Sequence, residues 1–256
     1  MANATRAVLE SALRARKLDR TLTTALPPLA VQEGNAVATG VEPLDASLHG
    51  GLPRGQLSEL AGAPSSGRTT LLLQLIAAAT ARGEIVALVD TCDRLDVASA
   101  VAAGIDLEHV LWVRGTAGAG GAAQAVTASR HTIAEMAVER ALKALTLVLQ
   151  AGGFGIVALD LADVPAAALR RLPFTTWMRV QRMVEGRETA CVLLVREPLA
   201  RSAGGLTLSL DGGIEWGGAP ARSRYLERLT IAARVVSPRR RLDAHVTVGA
   251  LAVDSR

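Results

Sequence analysis

Aromatic side chains are almost missing from this sequence: three Trp, two Phe and one Tyr make up 2% of its 256 residues. Base stacking on successive aromatic platforms can therefore contribute little to any nucleic-acid binding. Cysteine is scarce as well. Cys92 and Cys191 show no metal-ligand spacing, and so low a content fits a reducing cytosol. Long apolar runs are lacking, the candidates being interrupted by Gln74, Asp90 or Glu139, short of the ~20 residues that a membrane span needs. The N-terminus carries Arg6, Glu10, Arg14, Arg16, Lys17 and Asp19 in place of the apolar stretch of a secretory leader. A cytoplasmic protein with no membrane association is the expectation.

What the chain has in quantity is small and branched aliphatic residues. Half of it is hydrophobic, enough for a sizeable core built from Ala, Val and Leu, in one large domain or one domain with appendages. The formal charge is +4 and nearly all the basic residues are Arg. Their distribution says more than their sum. Arg222, Arg224, Arg228, Arg234, Arg239, Arg240 and Arg241 crowd the C-terminal stretch against Glu227 alone, and Arg170, Arg171, Arg179, Arg182 and Arg187 form a second group. Either group is a solvated face or a surface for phosphates or an acidic partner.

Residues 4 to 20 have the apolar spacing of an amphipathic helix, and Pro27-Pro28 opens a linker, so residues 1–34 are set apart from a core at 35–256. That helix either packs on the core or serves as a handle for a partner or a second subunit. From Leu57 onward, near-continuous apolar runs alternate with helical patterns. The strands are expected at 57–61, 85–89, 109–113, 155–159 and 191–195, and the helices near 69–82, 95–103, 131–151 and 175–185. This pattern predicts an α/β fold with a mainly parallel sheet flanked by helices. Runs at 206–210, 213–216, 226–236 and 244–253, separated by glycine and arginine turns, predict a C-terminal antiparallel extension. The Gly/Ala-rich stretch from Gly115 to Ala128 reads as a loop.

Between the first strand and the first long helix lie Gly62, Ala63, Pro64, Ser65, Ser66, Gly67, Arg68, Thr69 and Thr70. The spacing is that of a phosphate-binding loop, with arginine at the lysine position. Small residues let successive backbone N–H groups face phosphate oxygens, and the helix adds its positive end. Arginine is a longer, planar donor fork, less suited than a compact ammonium to follow charge onto a leaving group. Nucleotide binding and nucleotide hydrolysis are therefore separate questions here.

Asp90 and Asp160 each end an apolar run, at the rim where α/β folds bind ligands. Asp160 is the better candidate to hold Mg2+ with the Thr69 hydroxyl, ATP being the implied nucleotide. The alternative is a carboxylate that caps the following helix. Cys92 reads as a small buried hydrophobe, and the four scattered histidines offer no base to activate it.

These residues resemble the RecA-type recombinase core. Thr39-Gly40-Val41-Glu42-Pro43-Leu44-Asp45 and Gly50-Gly51-Leu52-Pro53-Arg54-Gly55 look like that family's lead-in to its phosphate loop, and residues 57–79 are similar to its strand, loop and helix. Asp160 falls at the Walker B aspartate. The resemblance implies that Cys92 stands where the family keeps the glutamate that activates water, and Arg196 where it keeps a glutamine that couples phosphate sensing to DNA. The family's DNA loop is cut down to about 197–205. Taken together, the departures resemble the ImuA-type accessory proteins of the bacterial translesion-synthesis mutasome. Such a resemblance implies a role in DNA-damage tolerance through a polymerase-like subunit and RecA. The segment Arg171-Leu172-Pro173-Phe174-Thr175-Thr176-Trp177-Met178 adds to it.

Two other readings stay open at this point: an active DNA-dependent ATPase, with Arg68 and Asp93 substituting for the lost groups, and a small-molecule P-loop kinase or regulatory ATPase. Where single-stranded DNA binds, phosphate contacts are expected from Arg179, Arg182, Arg187 and Arg201, weak and strongly salt-dependent.

Overall fold

A computed structural model describes residues 35–115, 130–200, 205–217, 225–237 and 246–251. The chain divides into two units, Met1–Val31 and Gln32–Arg256. The expected N-terminal helix and linker at 1–34 lie outside the described residues, as does nearly all of the Gly115–Ala128 stretch.

Two short strands, β1 (Ala36–Val37) and β2 (Leu52–Pro53), pair antiparallel and enclose helix α1 (Glu42–Ser47) in the chain. The main sheet takes up the five expected parallel strands: β3 (Leu57–Gly62), β4 (Val86–Asp90), β5 (Val110–Arg114), β6 (Ile156–Asp160) and β7 (Ala190–Val195). It continues through β8 (Thr207–Gly217), β9 (Tyr225–Ser237) and β10 (Val246–Leu251) in the order β10-β9-β8-β3-β7-β6-β4-β5. β8 joins β3 in parallel, and β9 and β10 follow antiparallel, which gives the expected extension. One detail differs from expectation. The runs at 206–210 and 213–216 belong to a single strand, because Gly212 and Gly213 continue in register opposite Ile231 and Thr230.

Alternation along each strand sends side chains to two cores. Leu60, Val86, Leu88, Ile156, Ala158, Val192 and Leu194 face α1, α2 (Arg68–Ala81) and α3 (Val97–Ala102). Leu57, Ala61, Ala87, Val89, Val157, Leu159, Leu193 and Val195 face α4 (Arg130–Ala151), α5 (Ala166–Arg170) and α6 (Phe174–Val184). Such two-sided cover explains why these strands are apolar throughout. α2 buries Leu71, Leu72, Leu75, Ile76 and Ala79, and each of its buried Leu and Ile side chains contributes about 2 kcal/mol. α1 and α5 are too short to show a helical period in the sequence.

Parallel register places the C-terminal ends of β3, β7, β6 and β4 side by side. The residues that follow those strands therefore share one rim of the sheet.

Candidate nucleotide-binding site

The phosphate loop leaves β3 at Gly62 and enters α2 through Gly67, whose φ of 85° is open to glycine at little cost. Ala63, Pro64 and Ser65 are exposed, whereas Ser66, Gly67 and Arg68 are buried. Ser66 N–H donates to the Ala63 carbonyl at 3.1 Å, and the Ser66 hydroxyl is buried without a partner. Glycines let neighbouring side-chain and backbone atoms pack closely in and around the loop. A methyl on Gly62 would lie 2.4 Å from Ser66 Oγ, one on Gly67 would strike the Ile231 side chain, and one on Gly212 would lie 2.2 Å from the Ser65 carbonyl oxygen. β8 and β9 thus form a wall against the loop, a role that nothing in the local sequence of Gly212 or Ile231 announces.

Arg68 sits 7% exposed at the start of α2, and its Nη1 donates to the carbonyl oxygen of Val195 at the end of β7, 2.8 Å away. Burial lowers its pKa, while the negative charge of Asp160 opposes that and Arg196 adds to it. The guanidinium is thereby tied into the rim between two strand ends.

Asp160 and Asp90 are direct register partners on β6 and β4. Burial pushes the Asp160 carboxyl up to about 6; the Ala162 N–H lowers it, Asp90 and Asp163 raise it and Arg68 lowers it. Asp160 Oδ1 accepts from Ala162 N–H at 2.8 Å. Asp90 holds the turn ahead of α3, whose N-cap is Asp96, the Asp96 carboxylate accepting from Ser99 N–H at 2.9 Å. Asp90 Oδ2 accepts from the N–H groups of Arg94 and Leu95 at 2.7 and 2.8 Å and from Trp112 Nε1 at 3.2 Å, closing the turn into α3. Asp90 Oδ1 stays buried and unpartnered.

Cys92 is half-buried, and its thiol is pushed up by burial and then by Asp160, Asp163 and Asp90, with Arg94 opposing them. It stays protonated at neutral pH and supplies no base. Asp93 does not replace it. The backbone turns at a φ of 54°, and the carboxylate forms a two-point ion pair with Arg114 at 2.8 Å for each bond. Arg114 in turn lies over the Trp112 ring, 4.5 Å from its centre.

Arg196 donates to the Ala162 carbonyl at 2.8 Å and lies 3.7 Å from Asp163, which also pairs with Arg94 at 3.1 Å. This charged rim beside Asp160 was not anticipated from sequence. Neither was Glu59, fully buried in β3. Glu59 Oε1 accepts from the N–H groups of Leu199 and Ala200, each at 2.7 Å, and Oε2 accepts from Thr207 Oγ1 at 2.9 Å. The signal was there: a carboxylate inside an apolar strand must find donors.

Of the four arginines expected to contact DNA, three fall among the described residues. Arg179 and Arg182 are exposed on α6. Arg187 follows α6, donates to the Leu149 carbonyl and lines a cavity with Gly83, Glu84 and Gly152, at the opposite end of the sheet from the phosphate loop. Arg201 lies outside the described residues.

Fold and loop together define a RecA-like P-loop protein. The model of the RecA N-terminal domain family matches residues 21–156, more than half of the chain, and the chain belongs to that family. Over 75 residues it is 45% identical to the protein RecA of Arthrospira platensis, 44% to that of Trichodesmium erythraeum and 43% to that of Synechococcus elongatus. These stretches are 29% of this chain, and the chain spans about a fifth of the length of those relatives (20, 21 and 21%).

Proposed function

We propose that this protein is a RecA-fold accessory protein of DNA-damage tolerance, of the ImuA type, that works by protein contacts and has given up nucleotide hydrolysis. The observation that carries the reading is the Arg68 hydrogen bond to Val195, which commits the cation at the lysine position to the protein's own backbone. Cys92, protonated beside Asp160, leaves the attacking water without a base. Each such group typically supplies several powers of ten in rate, so loss of both removes fast turnover.

Binding of Mg2+ and ATP is compatible with what remains. The unpartnered Ser66 hydroxyl and the glycine-flanked backbone of the loop suit phosphate oxygens. The exposed Thr69 and the Asp160 carboxylate would hold the metal, which when bound neutralises phosphate charge. Nucleotide in this reading is a ligand that rigidifies the rim.

Co-purification with the polymerase-like mutasome subunit tests the reading. A complex of equal strength with wild type and Thr69→Ala, with or without ATP, is the expected result. A complex that forms only with ATP and is lost in Thr69→Ala contradicts it.

A further inference from the structure

We infer that the outer face of α6 is a docking surface for an acidic, amphipathic segment of a partner protein. The inference rests on the scaffold reading and gives that scaffold a specific contact face. α6 buries Trp177, Val180 and Val184 against the sheet, which anchors its inner side. Its outer side carries Phe174, 50% exposed, and Met178, 44% exposed. Four residues apart on one helix, these two side chains lie next to each other, and Arg182 follows on the same line. Arg179 stands beside them, one turn after Thr175. The start of α6 is fixed in place by the ion pair of Arg171 with Glu135 on α4.

Charge complementarity selects the occupant. No Asp or Glu occurs between Asp163 and Glu185, whereas Arg170, Arg171, Arg179 and Arg182 all fall there. Among the described residues, Arg170, Arg179 and Arg182 make no ion pair. An apolar pair flanked by unneutralised guanidinium groups suits a helix that presents leucine-like anchors between carboxylates. Met178 lets the surface adapt to such anchors, as flexible thioethers do.

Two other occupants fit less well. Residues 1–34 of this chain are net basic, Arg6, Arg14, Arg16, Lys17 and Arg20 outnumbering Glu10, Asp19 and Glu33, the same net sign as the face. Single-stranded nucleic acid would find one exposed ring, Phe174, in place of a run of stacking platforms.

The test is fluorescence anisotropy with the full chain and a labelled leucine–glutamate amphipathic helical peptide, its leucine–lysine counterpart and labelled oligothymidine. We expect the glutamate peptide to bind and the lysine peptide not to. Phe174→Ala/Met178→Ala and Arg179→Glu/Arg182→Glu should each weaken that binding by about tenfold or more. Both pairs are exposed, so thermal melting of the variants should match wild type. Equal affinity for the two peptides, or binding unchanged in both variants, overturns the inference. Oligothymidine binding that both variants lose, with no peptide binding, reassigns the face to nucleic acid. A complex with the polymerase-like subunit that survives both variants removes this surface but leaves the scaffold reading standing.

Discussion

Arg68 and Val195, 127 residues apart in sequence, are joined by a 2.8 Å hydrogen bond from a guanidinium to a strand-end carbonyl. The bond links the first turn of α2 to β7, the strand beside β3, so the phosphate loop is braced from within. In the lysine version of this loop the cation is kept for a ligand.

Arg68→Ala removes that brace and leaves Val195 without its buried donor and Asp160 without a neighbouring cation. It should cost about 2–4 kcal/mol of stability, read as a lower midpoint in urea unfolding. Arg68→Lys keeps the charge but is a shorter point donor, and should cost about 1–2 kcal/mol. A lysine variant as stable as wild type would show that the Val195 bond is incidental.

Asp160 makes stability depend on pH with a definite sign. Its carboxyl is raised from 3.8 to about 6 on folding, burial being the largest cause. Between those values the native state holds more protons than the unfolded chain, so stability from this group falls as pH rises, and the loss is complete above about pH 6. Asp160→Asn should therefore be more stable than wild type at neutral pH, by on the order of 2 kcal/mol. The two melting curves should converge below about pH 4. Destabilisation by the variant at neutral pH goes against this account.

Glu59 fastens the segment after β7 to the strand that feeds the phosphate loop. Glu59→Ala strands two N–H groups and one hydroxyl, and should cost about 3 kcal/mol or more. Glu59→Gln keeps one acceptor and should cost less. Equal urea midpoints for the alanine variant and wild type would mean that water replaces the carboxylate.

Gly212→Ala places a methyl against the Ser65 carbonyl oxygen, a backbone atom that cannot turn aside. Displacement of the loop should lower the melting temperature and weaken binding of a fluorescent ATP analogue several-fold or more. Gly83→Ala serves as the control, since a methyl there meets nothing within 4 Å. Its effect is confined to the φ of 77° at that turn.

Much of this fold is legible in the chain. Buried parallel strands are continuous apolar runs, so β3, β4, β5, β6 and β7 emerge within one residue at either end. The phosphate loop declares itself because its glycines meet a steric demand at fixed spacing. What the chain hides are contacts set by strand order. Val195 reaches Arg68 only because β7 lies beside β3, and Gly212 meets Ser65 only because β8 takes β3's other side. At Arg187 the charge pattern likewise hides a contact within the fold. Arg187 stands five residues from Arg182, yet the turn at Gly186, with φ at 73°, lies between them and its guanidinium goes to Leu149.

The central claim is that the fold has been kept and the motor lost, and ATP turnover with and without single-stranded DNA tests it most directly. Thr69→Ala sets the background. The account expects wild-type turnover equal to that of the variant under both conditions. Turnover that DNA stimulates and Thr69→Ala abolishes would contradict it and restore an active ATPase.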